Sequence, residues 1–257
     1  MSSSLILIAR EGAITTVTLN RPDKRNALNI ELLDQLCGAI AAAEADSSQR
    51  IFILRGAGSV FCSGLDLAEA MEPGRAHASA ELVSRTLRLL STSRLVTLAA
   101  VQGAAIAGGA GIMSACDFAA ATRDAKFGYP EIRRGLVPAL IMTFLRRQLR
   151  ERDVRELLLL GKLFDASHAH AIGLINRIVA DETALDTEIR ALVSSVLQGA
   201  PDALAETKKL IAEFWPVLIT SDLERAHAYH LAARNSTEAL EGIAAFNEKR
   251  PPKWAPK

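Results

Sequence analysis

Three short segments of this chain carry residues whose types and spacing suit chemistry. Gly108 and Gly109 lie in LVTLAAVQGAAIAGGAGIMSAC (95–116), a run without a charged residue that ends at Asp117. A helix opening just after such a glycine pair presents unpaired backbone N–H groups and the positive end of its dipole. Without side chains, the glycines let a ligand oxygen approach the backbone closely. A second loop, FCSGLDL (61–67), has the same character: Ser63 and Gly64 force a turn that can aim the Leu65 N–H outward. Two such donors stabilise an enolate or a tetrahedral oxyanion by several kcal/mol. Either loop alone reads equally well as a glycine turn packing strand on helix. The occurrence of two, each after an apolar strand-like run, points to function. The third segment is FGYPEIRRGLVP (127–138), where Glu131 sits among Phe127, Tyr129 and Ile132. Apolar surroundings raise a carboxyl pKa toward values useful in a general base. The competing reading is a surface glutamate paired with Arg133 or Arg134.

The elements needed to position these groups follow from hydrophobic patterning. Leu5–Ala9 and Ile14–Asn20 read as a hairpin. Asn29 is an N-cap for a helix to about Ala43 that presents Ile30, Leu33, Leu36 and Ile40 on one face. Ile51–Arg55, Val96–Val101, Phe118–Ala121 and Leu174–Val179 read as strands, and Ala80–Leu90, Gly109–Ala115, Val137–Leu149 and Asp153–Leu160 as helices. Gly161 signals a helix C-terminus. From Asp181 to about Glu248 the pattern is helical, punctuated by Pro201 and Pro216. Strands alternating with helices, followed by helices alone, indicate an α/β core (1–200) with a C-terminal helical region (201–257).

Bulk properties narrow the class. The 257 residues are 49% hydrophobic and 23% charged, with a net charge of +1, a globular composition with no electrostatic case for nucleic acid or an anionic membrane as partner. Cys37, Cys62 and Cys116 are scattered and odd in number, which fits free thiols in a reducing cytoplasm. The N-terminus has no basic region and only the short apolar run Leu5–Ala9, so it does not read as a signal peptide. The uncharged run is long enough to span a bilayer, but Gln102 and its glycines favour a buried strand, loop and helix.

Other signals in the chain have simpler readings. GAGIMS (109–114) approaches a dinucleotide fingerprint and makes a Rossmann oxidoreductase the alternative from another class, although QGAAIA separates it from its strand. No Lys-Ser/Thr follows the glycines as a P-loop needs, and Ser63 is not in a G-x-S-x-G elbow. His168 with His170, and His227 with His230, lack metal-site spacing and read as solvated helix faces. Arg146, Arg147, Arg150 and Arg152 read as a solvated helix end. No metal and no redox cofactor is expected. A non-catalytic scaffold stays open as a third class.

Six ordered stretches then match one family: LNRPDKRNALN (19–29), FCSGLDL (61–67), AAVQGAAIAGGAGIMSACD (99–117), AKFGYPEIRRGLVP (125–138), GKLFDASHAHAIGLINRIV (161–179) and EGIAAFNEKRPPKW (241–254). Over nearly its whole length the chain resembles the crotonase, or enoyl-CoA hydratase/isomerase, superfamily. The resemblance implies a spiral of ββα units, a C-terminal helical trimerisation region, a homotrimer or homohexamer, and an acyl-CoA thioester substrate whose coenzyme A is part of the substrate. It places the oxyanion-binding N–H groups at Leu65 and Gly108 and the catalytic base at Glu131. It places CoA contacts at Lys24, Arg25, Ala27, Ser63, Asp66 and Leu67, and at Phe246 and Lys249 from the same or a neighbouring subunit.

One departure matters. Hydratases of the family carry two glutamates; the second is Glu131, but the first falls on Gly111, and the family's GGG run is here Ala107, Gly108 and Gly109. Hydration needs a base for water and a proton for the α-carbon, whereas moving a double bond from C3 to C2 needs one base. The resemblance therefore favours isomerisation by Glu131, with hydration through one glutamate as the alternative. A substitute acid is sought in the segment carrying Glu69, Glu72 and Glu81.

Overall fold

The computed structural model describes residues 4–70, 72, 74–214 and 219–255. Among these, the chain runs β1 (Ile6–Glu11), β2 (Ile14–Leu19), α1 (Ile30–Ala45), β3 (Ile51–Gly56), α2 (Leu67–Ala70), α3 (Arg75–Thr92), β4 (Val96–Val101), β5 (Ala104–Ile106), α4 (Gly108–Ser114), β6 (Phe118–Thr122) and β7 (Lys126–Gly128). It continues through α5 (Ala139–Gln148), α6 (Glu151–Leu160), β8 (Leu163–Asp165), α7 (Ala166–Ala171), β9 (Arg177–Val179), α8 (Glu182–Leu197), α9 (Pro201–Phe214), α10 (Ile219–Arg234) and α11 (Thr237–Asn247). Short 3-10 turns at Pro22–Lys24 and Pro130–Arg134 flank the site described below.

Six strands form one sheet in the order β1-β2-β3-β4-β6-β9, and β5-β7-β8 form a second. Only β1 and β2 pair antiparallel in the large sheet, as a hairpin must; the rest is parallel. Every residue of β4 is buried, which suits a central parallel strand covered on both faces. Successive turns of the chain give one strand to each sheet, β4 then β5 and β6 then β7, and this repetition is the ββα spiral. Its corner after β4 is Gln102 and Gly103. The Gln102 amide donates to the carbonyls of Gly56 and Gly58 at 2.6 and 2.9 Å. Gly103 adopts φ +63°, and a Cβ there would be driven into the Ser59 carbonyl.

Several expectations shift. Asn29 caps α1 by accepting from the Leu32 N–H at 3.1 Å, and Gly161 ends α6 in the left-handed region, both as read from the sequence. The helix expected from Ala80 starts at Arg75, and the strand expected over Leu174–Val179 is only Arg177–Val179. The small sheet was not anticipated: its strands have three residues each, too few to show a period. The uncharged run resolves into β4, β5 and α4, and among the described residues no helix is long and apolar enough to cross a membrane. Pro216 lies outside the described residues.

Candidate active site

The two glycine loops meet. The 61–67 loop lies along β5, with Cys62 N–H donating to the Ala104 carbonyl at 3.1 Å and Ile106 N–H donating to the Cys62 carbonyl at 3.0 Å. On its other side it pairs with Leu28: the Leu28 N–H donates to the Gly64 carbonyl at 2.8 Å and the Asp66 N–H to the Leu28 carbonyl at 3.0 Å. In a parallel bridge of this kind, the residue between the two bonding partners points its own N–H away. That residue is Leu65, whose N–H has no acceptor among the described residues. The Gly108 N–H, in the first turn of α4, has none either. Contact between the loops is close: a Cβ on Gly64, at φ +92°, would stand 2.8 Å from the Ile106 carbonyl oxygen and 3.3 Å from Gly108 N. A Cβ on Gly108 would stand 3.7 Å from Leu65 N.

Ala107 caps α4 at φ 51° and ψ −123°, a conformation costly for any residue but glycine. It is held there by its N–H donating to the Gly128 carbonyl at 2.8 Å and by its carbonyl accepting from Gly111 at 2.9 Å. Backbone strain at this residue thus sets the direction of the next N–H, that of Gly108.

Glu131 is carried by the Pro130–Arg134 turn, closed by Gly135 at φ 67°. The turn is pressed from outside by α11, for a Cβ on Gly135 would meet the Glu238 backbone and one on Gly242 the Arg134 carbonyl. The Glu131 side chain is 8% exposed and its Oε2 has no hydrogen-bond partner. Burial pushes its carboxyl up to about 7, opposed only weakly by its own backbone N–H and by Arg134. The surface-pair reading therefore falls: Arg133 donates to the Leu160 carbonyl at 3.2 Å, and the Arg134 guanidinium lies 4.3 Å over the Phe246 ring. Two unpaired N–H groups and a buried carboxylate with one free oxygen, on one cavity, can bind a single oxygen and move a proton beside it.

The cavity measures about 720 Å³. Lys24, Arg25, Ala27, Ser63, Leu65, Asp66, Leu67, Gly108, Glu131 and Phe246 all line it. Lys249 stands exposed outside the lining, while its neighbour Arg250 contributes to it. The Lys24–Arg25 turn is clamped in place: the Asn26 amide donates to the Ala57 and Val60 carbonyls at 2.9 and 2.7 Å, and Arg21 pairs with Asp66 at 2.9 Å. Among the described residues neither Lys24 nor Arg25 makes an ion pair, so both cations remain available at the mouth.

The enoyl-CoA hydratase/isomerase family pattern matches residues 9–257. The chain belongs to that family. A Thermus thermophilus protein named as a candidate enoyl-CoA hydratase is 36% identical over 250 residues, 95% of this chain and 98% of its own. The 2,3-dehydroadipyl-CoA hydratase of Escherichia coli is 29% identical, covering 97% and 98%. The solved enoyl-CoA hydratase of Mycobacterium avium superposes with a TM-score of 0.87 at 35% identity, over 98% of this chain and all of its own. The Rossmann alternative fails on geometry as well: GAGIMS lies inside α4 rather than in a strand-to-helix turn, and the strand order of the large sheet never reverses.

Gly111, where the resemblance puts the family's first glutamate, sits inside α4, and a Cβ built there would be 3.0 Å from Ile141 Cγ1 and 3.9 Å from Leu87 Cδ2. Buried hydrocarbon occupies the direction in which a side chain would leave. The substitute acids sought in the sequence do not reach the cavity. Glu69 accepts from the Ile30 N–H at 2.8 Å and pairs with Arg75 at 2.9 Å, while Glu72 and Glu81 are exposed and pair with Arg75 and His77.

Among the lining residues that the sequence does not reveal are His230, Ile141 and Arg134. His230, which the sequence pattern reads as a solvated helix-face residue, is buried in the cavity wall. Its burial depends on α3 and α5, distant in sequence, against which α10 packs. Ile141 and Arg134 carry no local signal that distinguishes them from any core isoleucine or surface arginine.

Proposed function

We propose that this family enzyme binds an acyl-CoA thioester and moves a carbon–carbon double bond from C3 to C2. The thioester oxygen accepts hydrogen bonds from the Leu65 and Gly108 N–H groups, which lowers the cost of the dienolate as charge develops. Glu131 removes a proton at C2 and returns it at C4. Lys24 and Arg25 at the mouth suit the phosphates of coenzyme A. This chemistry asks for no metal and no redox cofactor. The exposed apolar residues Leu210, Ile211 and Phe214 of α9 fit a homotrimer or homohexamer, and three buried free thiols fit a reducing cytoplasm.

The observation that carries the reading is the hydrocarbon around Gly111, which leaves Glu131 as the unpaired carboxylate of the cavity. Hydration by one glutamate is the second reading, favoured by the hydratase names of relatives. Supplying 3-enoyl-CoA and 2-enoyl-CoA separately decides between them. Isomerisation without hydration is expected; efficient hydration of crotonyl-CoA reverses the assignment.

Two further outcomes follow from the geometry. A Cβ on Gly109 would be forced into the Cys62 carbonyl, prising apart the loops that carry Leu65 and Gly108. Gly109→Ala is expected to lower kcat/KM about 100-fold, measured beside a thermal melt that reports folding. Activity close to wild type would take the two loops out of the chemistry. Because a base must be ionised to act, kcat/KM is expected to rise with pH and level off above a midpoint near 7, the value to which burial lifts Glu131. A profile already flat at pH 5 would exclude Glu131 as that base.

A further inference from the structure

The far wall of the cavity carries polar groups that single-base chemistry leaves unused. His230 lines the cavity with Val83 and Val137, is 9% exposed, and buries an Nε2 with no hydrogen-bond partner. Three residues before and four after it, on the same face of α10, His227 Nε2 and Arg234 Nη2 are likewise buried and unpaired. Arg234 donates through Nη1 to the Ala76 carbonyl at 3.3 Å, and the His227 ring lies edge-on to His77 at 6.0 Å. The carboxylate whose field Arg234 feels is Glu69, already engaged by Arg75 and the Ile30 N–H. His230 keeps a backbone hydrogen bond with Val137 and Arg234 one with Ala76, which leaves three nitrogens of this helix face without partners. Of the three residues His230 lines the cavity, which is otherwise walled there by Val83, Leu140 and Ile141. Such groups cost free energy when buried unless a ligand completes them.

We propose that this end of the cavity takes an acyl chain ending in a carboxylate, which His230 receives through Nε2 with the positive charge of Arg234 behind it. The inference rests on the acyl-CoA reading of the cavity. Burial, and then Arg234 and His227, hold the His230 pKa down to about 4, against a backbone hydrogen bond with Val137 that raises it. The carboxylate supplies the counter-charge that lets the ring donate. A chain ending in methyl leaves the His230 Nε2 unpaired.

The test is binding of unreactive saturated thioesters, which needs no catalysis: glutaryl-CoA against pentanoyl-CoA and adipoyl-CoA against hexanoyl-CoA, by calorimetry. The wild-type protein is expected to prefer the carboxylate of at least one pair about tenfold or more. In His230→Leu that ratio falls toward one. In His230→Gln, which keeps a donor and a polar fit should leucine perturb folding, part of the ratio survives. A ratio near one in the wild type, or one unchanged in both variants, overturns the inference while leaving the acyl-CoA enzyme intact. Failure of all four thioesters to bind overturns the acyl-CoA reading itself, and this inference with it.

Discussion

Glu131→Gln is expected to slow turnover about 10³-fold and yet to stabilise the protein at alkaline pH. The activity loss follows from removing the proposed base: general acid–base catalysis contributes roughly 10² to 10⁴-fold, and Asp66, Glu69, Glu72 and Glu81 are each paired with a basic side chain. Loss of kcat by about 10³-fold with substrate binding retained is the expected kinetic signature. The stability change has a definite sign. Burial lifts the Glu131 carboxyl from 4.5 when unfolded to about 7 when folded, so the folded state binds the proton more tightly. That contribution is complete below the unfolded value and is lost as pH rises through the folded one. At pH 8 the wild-type protein must therefore hold a buried, unpaired carboxylate, a penalty of up to about 3 kcal/mol. Glutamine has the same shape and no charge. The variant should melt several degrees above wild type at pH 8 and close to it at pH 5. Equal melting temperatures at both values would mean that Glu131 is solvated, and would remove the physical basis for its role as a tuned base.

How far the chain's sequence reveals this site depends on whether each signal is local. Glycine pairs after apolar runs, an N-cap asparagine before an amphipathic stretch and a carboxylate among aromatics are written in a few adjacent residues. The two loops, α1 and Glu131 were accordingly legible. The strands Ala104–Ile106, Lys126–Gly128 and Leu163–Asp165 exist because they pair with one another across the spiral, and three residues cannot advertise that. The early start of α3 at Arg75 belongs to the same class, since its first turns pack against α10. His230 shows the limit most clearly: a histidine on a helix of low amphipathicity becomes a buried wall residue only when α10 lands on α3 and α5. The vacancy at position 111 was legible as a missing glutamate, but what fills the space was not, because Leu87 and Ile141 approach it from two other helices.

That filling makes the strongest prediction about reaction choice. Gly111→Glu places the family's first glutamate back in the chain, but its Cβ starts 3.0 Å from Ile141 Cγ1 and 3.9 Å from Leu87 Cδ2. Ile141 and Leu87 are both buried, so neither yields freely to a larger neighbour. Overpacking of this kind costs about 1–3 kcal/mol, and burying an added carboxylate without a partner adds to it. The single variant is therefore expected to lose roughly 3 kcal/mol of stability and to gain no hydration of 2-enoyl-CoA. Adding Ile141→Ala removes the side chain that stands in the way and opens room for a water beside the new carboxylate. The double variant should recover part of the stability and hydrate 2-enoyl-CoA at a rate above both parents, measured by loss of the conjugated thioester absorbance. A Gly111→Glu protein that is as stable as wild type and hydrates without the second change would show that the wall does not select the reaction. The expected result instead makes position 111 and position 141 one unit: glycine with isoleucine encloses a dry, single-base site, and glutamate with a small residue admits water.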